Sequence, residues 1–257
     1  MSFATAFIIA LVTGLAYWQR RFMGDCQLER PIVLGPVIGL LLGDFKTGLM
    51  VGANLELVFM GAQAIGGSVP SNVAIAAAFG TAVAITGGTG IEGAMVVAIP
   101  VAVVASTFET FAKAFCAIFI HGADKYAEKG DSRGIAMMTH LGNLFHFAAY
   151  FVPTLIGLWL GVDVVSGVMD SIPANIMGGI SAISALLPAL GFGLLLNNLS
   201  TKEFMPYFFI GFALAAYIPS FGVMGIAFIG IAYACVYAFS KLKSINNLAT
   251  VKGDDEL

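Results

Sequence analysis

Residues 204–240 read FMPYFFIGFALAAYIPSFGVMGIAFIGIAYACVYAFS, 37 positions between Glu203 and Lys241 without one Asp, Glu, Lys or Arg. Crossing the hydrocarbon core of a bilayer takes roughly 20 predominantly apolar residues. The stretch therefore predicts two helical crossings and a turn. Four more gaps of this kind precede it: 19 residues before Arg20, 35 between Glu56 and Glu92, 29 between Arg133 and Asp163, and 31 between Asp170 and Lys202. The chain has 257 residues with 12 Lys+Arg and 15 Asp+Glu, so evenly scattered charges would fall every nine or ten positions. Only 11% of residues are charged and 59% are apolar, against roughly 25% and 45–50% in a soluble domain. Mean hydropathy is +0.93. These figures exclude a soluble globular protein, a nucleic-acid binder and a secreted disulfide scaffold. They predict an all-α polytopic membrane protein embedded in the lipid bilayer.

Polar punctuation separates nine apolar segments, at about 3–18, 31–43, 47–67, 72–88, 91–120, 136–161, 174–196, 204–220 and 222–239. No polar block is long enough to fold as a soluble domain, so residues 1–240 read as one membrane domain and 241–257 as a hydrophilic tail. Cys26, Cys116 and Cys235 have no paired spacing and read as small hydrophobes. Lysines and arginines concentrate on the cytoplasmic side of membrane proteins. Placing the clusters Arg20/Arg21/Arg30, Lys125/Lys129/Arg133 and Lys241/Lys243/Lys252 inside puts the N-terminus outside and the C-terminus in the cytoplasm. Segment 31–43 is only about 20 Å long as a helix at roughly 1.5 Å per residue, and it holds Pro31, Pro36, Gly35 and Gly39. It reads as re-entrant or half-length. Gly39-Leu40-Leu41-Leu42 recurs as Gly193-Leu194-Leu195-Leu196, the pattern of an inverted repeat whose broken helices meet at a substrate site.

The densest chemistry runs from Gly48 to Asn72, with Asn54, Glu56, Phe59, Gln63 and Asn72 as candidate substrate contacts. A carboxylate inside a membrane segment costs roughly 2.5–3.5 kcal/mol, so Glu56 requires a reason. On a helix, Glu56, Phe59 and Gln63 share one face. If the chain is unwound between Gly48 and Gly52, Asn54 and Glu56 share a side instead. A carboxylate, an amide and an aromatic face suit a sugar ring, because Asn and Gln both donate and accept. Two other readings of Glu56 stand beside this one: a structural pair with Lys46 or Lys113, and a proton carrier. Glu109 and Lys113 are spaced to pair on a helix. His140, Asn143 and His146 step along one helix side as polar contacts between helices or as part of a cavity wall. The histidines lack metal-ligand spacing. Neither a nucleotide loop nor an activated nucleophile is present, so the chain reads as no enzyme by itself, without metal or cofactor.

Arg30-Pro31-Ile32-Val33-Leu34-Gly35-Pro36, Gly39-Leu40-Leu41-Leu42-Gly43-Asp44 and Gly52-Ala53-Asn54-Leu55-Glu56-Leu57-Val58-Phe59-Met60-Gly61 closely resemble the IIC subunit of the mannose–fructose–sorbose family of the bacterial phosphoenolpyruvate-dependent sugar phosphotransferase system. The resemblance is strongest over residues 30–85. It implies a sugar-translocating channel in the bacterial plasma membrane, formed as an oligomer with a IID membrane subunit. Cytoplasmic IIA and IIB proteins would relay the phosphoryl group that modifies the entering hexose or amino sugar. The family's Gly-x-x-Leu-Glu element maps its sugar-contacting carboxylate onto Glu56, with Asn54 at the neighbouring polar position. Some members carry Thr at the place of Asn54 and Asp at the place of Asn72, departures that bear on which sugar is recognised. The rival reading is an ion-coupled secondary sugar transporter with Glu56 as its coupling carboxylate.

Overall fold

The computed structural model describes residues 1–62, 71–170, 173–201 and 203–254. The chain divides into two compact units, Met1–Asn198 and Leu199–Leu257. The first holds α1 (Phe3–Trp18), α2 (Pro31–Leu42), α3 (Phe45–Val58), α4 (Val73–Thr86), α5 (Gly90–Ala127), α6 (Ser132–Asp170) and α7 (Ala174–Leu199), whose last residue opens the second unit. The second holds α8 (Met205–Tyr217) and α9 (Gly222–Asp254). All regular structure among the described residues is helical. Among the described residues, four helices are long and apolar enough to cross a membrane, over Phe3–Arg21, Gly90–Ala127, Ser132–Val162 and Pro219–Leu242. The chain is an all-α, multi-pass membrane protein.

Shorter apolar helices do the rest. The 12 residues of α2 and the 14 of α3 reach about 18 and 21 Å at ~1.5 Å per residue, well short of the ~30 Å hydrocarbon core. They form a tight antiparallel hairpin. Gly43 ends α2 in the left-handed region at φ +83°, and the Asp44 carboxylate accepts from the Thr47 N–H at 3.0 Å to start α3. Gly35 and Gly39 on α2 face Gly48 and Gly52 on α3. A Cβ on Gly35 would lie 2.6 Å from the Gly48 carbonyl oxygen, and one on Gly48 would lie 2.5 Å from that of Gly35. Small residues at four-residue spacing let membrane helices touch backbone to backbone. The unwinding that Gly48 and Gly52 could have allowed does not occur, because these glycines are used for close approach within a continuous helix.

The hairpin packs beside α4, in which every residue from Ala74 to Ala84 is buried. A helix that is apolar all round belongs inside a bundle, and the alanines of α4 let its neighbours approach. One apolar cluster joins α4 to Ile9 of α1 and Leu158 of α6. Another joins it to Val51 and Leu55 of α3 and Ala98 and Ala102 of α5. On α5 the inward stripe is Ala94, Ala98, Ala102, Ala105, Glu109 and Ala112, whereas Val104, Phe108, Phe111, Phe115 and Ile118 are exposed. Apolar residues on both faces are what a helix between protein and lipid requires.

Helices outrun their apolar segments, α5 among them. The 38 residues of α5 reach about 57 Å at ~1.5 Å per residue, so the helix continues through the polar stretch that the sequence places after residue 120. Gly130 then turns the chain, and the Asp131 carboxylate accepts from the N–H groups of Arg133 and Gly134 to begin α6. The two Gly-Leu-Leu-Leu runs are packed differently. Gly39 sits against Gly48, whereas a Cβ on Gly193 would meet nothing within 4 Å. In the second unit, the Tyr233 hydroxyl donates to that of Tyr207 at 3.0 Å, and Tyr237 donates to Glu203, joining α8 to α9.

Candidate functional site

The antiparallel hairpin brings its two open ends together. Arg30 is the N-cap residue of α2, and Glu56 stands near the end of α3 opposite it. The Arg30 guanidinium donates to Glu56 Oε1 from Nε at 2.8 Å and from Nη2 at 2.5 Å. Glu56 Oε2 accepts from the Ile32 N–H at 3.3 Å. The carboxylate thus meets a cation and the first turn of α2, whose dipole also favours negative charge. Lys46 is exposed and Lys113 pairs elsewhere, so the cation beside Glu56 is neither of the two lysines that the sequence offered.

Arg30 also lines a polar cavity of about 220 Å³ between the end of α1, the connection to α2, and the N-terminal side of α4. Its centre is Glu109, which is 8% exposed. Lys113 pairs with Glu109 Oε1 at 2.9 Å, Asn72 Nδ2 donates to Oε2 at 3.1 Å, and the Tyr17 hydroxyl donates to Oε1 at 3.3 Å. The other end of the Asn72 amide caps α4, where Oδ1 accepts from the Ile75 N–H at 3.1 Å. A short helix, buried from Ala74 to Ala84, therefore begins at the cavity. Glu29 is 3% exposed; it pairs with Arg20 at 3.2 Å and accepts from Gln19 at 3.3 Å. Arg20 also donates to Asp25 at 2.8 Å, which holds that carboxyl below the usual carboxylate range. Tyr17, stacked on Tyr150 with ring centroids 3.6 Å apart, forms an aromatic wall.

Three carboxylates (Asp25, Glu29, Glu109) and three cations (Arg20, Arg30, Lys113) line this cavity, and each is in an ion pair, Arg30 with Glu56 behind the wall. Drug-sized ligands occupy roughly 300–1,000 Å³, and a smaller cavity of this kind suits a single polyhydroxylated ring.

The candidate residues are placed unequally. Asn72 lines the cavity, and Glu56 stands behind it through Arg30. Asn54 Nδ2 donates back to the Met50 carbonyl at 2.8 Å. The Phe59 ring is 5% exposed and packs in the apolar cluster with Val51 and Leu55, while its carbonyl accepts from Arg30 at 3.4 Å. Gln63 lies outside the described residues. Glu109 and Lys113 pair at the expected spacing, but the pair also organises Asn72 and Tyr17. His146 is buried and stacked on Tyr17; His140 is exposed. Sequence reasoning passed over Tyr17, Glu29 and Arg30. Glu29 and Arg30 stand in a charged cluster that reads equally well as a solvated loop, and Tyr17 lies within the apolar segment 3–18, where it reads as lipid-facing or core.

The family model described as "PTS system sorbose-specific IIC component" matches residues 3–236. The fructose permease IIC component of Bacillus subtilis (strain 168) is 32% identical over 230 residues, which is 90% of this chain and 84% of the relative. The mannose-specific EIIC component of Escherichia coli (strain K12) is 28% identical over 233 residues, 90% of this chain and 85% of the relative. A solved structure described as that of a membrane protein superposes with a TM-score of 0.80 at 26% identity, covering 92% of this chain and 94% of the other. A chain from the cryo-EM structure of mannose transporter ManYZ in complex with microcin E492 aligns with the same coverage and identity and a TM-score of 0.57.

Proposed function

This chain belongs to the family of PTS system sorbose-specific IIC components, and from that premise we propose that its polar, ion-paired cavity holds the sugar that the complex imports. It is the membrane transport subunit of a sugar phosphotransferase system. The observation that carries the site is the cavity's pairing of every lining charge with hydrogen-bonding groups left over. A neutral polyol needs donors and acceptors held in place, and ion pairs and hydrogen bonds fix the ones here. Glu109, Glu29 and Asn72 offer the acceptors and an amide, Lys113 and Arg30 offer donors, and Tyr17 offers a surface for the ring's C–H groups. Glu56 acts one step back, by fixing Arg30.

The sugar is a hexose or amino sugar, in keeping with the fructose and mannose named for the relatives. The chain supplies binding and translocation. Phosphorylation belongs to IIA and IIB carriers on the cytoplasmic side, and a IID subunit completes the membrane assembly in the bacterial plasma membrane. Residues 1–240 form the translocating domain, and 241–257 lie in the cytoplasm.

Right-side-out vesicles separate this from ion coupling. Vesicles loaded with phosphoenolpyruvate and the soluble carriers are expected to accumulate sugar phosphate and to keep doing so when an uncoupler is added. Delivery of free sugar that collapses with the uncoupler would sink the proposal.

A further inference from the structure

A second cavity, of about 400 Å³, lies between α5 and α6 near the turn that joins them and takes in Arg21 from the single 3-10 turn, Gln19–Arg21, that follows α1. Its walls are single helix faces. Lys113, Cys116, Ile120 and Ala123 follow one another along α5, and Thr139, Gly142, Asn143 and His146 along α6. The cavity shares Lys113 with the sugar site, yet its chemistry differs. Arg21 is exposed, and among the described residues it forms no ion pair. Lys113 Nζ is bound to Glu109 on the far side and keeps N–H donors to spare. The single lining carboxylate, Asp124, is exposed and leans to His121 at 3.7 Å.

His146 supplies a third polar group. It is 2% exposed, Cys116 Sγ approaches its Nδ1 at 3.9 Å, and its Nε2 is buried without a hydrogen-bond partner. The remaining wall is apolar, with Phe119, Ile120 and Met138. It continues onto the outer surface of α5, where Phe111, Phe115 and Ile118 are 60%, 55% and 64% exposed. A cation at a helix end above an apolar surface that faces lipid is the arrangement that receives a phosphate with hydrocarbon attached.

We propose that this cavity binds a phosphate ester, carried by an anionic phospholipid whose headgroup reaches Arg21 and Lys113 and whose chains lie along α5. The site adjoins the sugar cavity through Lys113, but the cation particular to it is Arg21, which does not line the sugar cavity.

Native mass spectrometry of the full-length protein in detergent tests this, with phosphatidylglycerol, zwitterionic phosphatidylcholine or inorganic phosphate added. Wild type is expected to retain phosphatidylglycerol in preference to phosphatidylcholine. Removing one cation near the membrane surface weakens attraction to an anionic lipid about fivefold; Arg21→Gln should show that loss and Arg21→Lys should not. Gly142→Leu should expel the lipid, because a Cβ there first meets Phe119 at 3.6 Å and the rest of the side chain fills the cavity. If that variant does not fold, the exposed Arg21 variants carry the test. Equal retention of both lipids by wild type overturns the proposal. So does unchanged phosphatidylglycerol binding in Arg21→Gln. Arg21-dependent binding of inorganic phosphate with no lipid retained overturns the lipid source.

Discussion

Gly35→Ala lowers the unfolding temperature of the purified protein, although alanine is the better helix former by about 1 kcal/mol in a helix interior. The sign of the effect is the test. The new methyl carbon would lie 2.6 Å from both the Gly48 carbonyl oxygen and the Gly52 Cα. Both are backbone atoms, so no side chain can swing aside, and the hairpin must open. Overpacking of a fitted core typically costs about 1–3 kcal/mol, and a backbone obstacle puts this site at the upper end, enough to outweigh the propensity gain. Gly48→Ala should behave alike. Gly193→Ala, with nothing within 4 Å of its Cβ, should keep the propensity gain and melt slightly higher. Stabilisation by all three substitutions would mean that α2 and α3 do not touch through their glycines.

Arg30→Met should destabilise the protein by roughly 3 kcal/mol, the lower end of the cost of stranding one partner of a buried ion pair. The lower end applies because the Arg30 and Glu56 side chains are 11% and 22% exposed, so water still reaches the carboxylate. The double variant Arg30→Met/Glu56→Leu should recover most of the loss, since apolar replacement of a whole buried pair is often near neutral. Thermal unfolding of the two variants side by side decides it. A double variant no more stable than Arg30→Met would show that the pair is not what closes the hairpin. Sugar binding should fall in both, because Arg30 leaves the cavity wall in both.

Much of this architecture is legible in residue order. The apolar segment at 3–18 and α1 share the same bounds. The shortness and glycine content of 31–43 correctly mark a helix that cannot span. Helix ends outside the apolar segments were not legible: α5 runs to Ala127 because a helix needs no apolar residues once it leaves the hydrocarbon. Partner choice was equally hidden. Arg30 meets Glu56 across 26 positions only because a two-residue turn folds α2 back on α3, and the same charge in a positive cluster looks solvated. Glu29 stands within that cluster and is buried, which no local pattern announces. Asn72 was legible as the last candidate contact of the Gly48–Asn72 stretch, and that is the residue the cavity uses twice, to cap α4 and to hold Glu109.

Calorimetric titration of the purified membrane complex with its sugar probes the central claim most directly, comparing Glu109→Gln and Gln27→Ala with Asn54→Ala. Glu109→Gln preserves shape but removes the charge from hydrogen bonds worth about 1.5–3 kcal/mol each, so affinity should fall at least tenfold. Gln27 lines the cavity from an exposed position, and its truncation should weaken binding with the unfolding temperature unchanged. Asn54 serves its own helix, and Asn54→Ala should bind sugar as wild type does. Full affinity in Glu109→Gln and Gln27→Ala, with loss in Asn54→Ala, would contradict the assignment and move the sugar to the other side of α3.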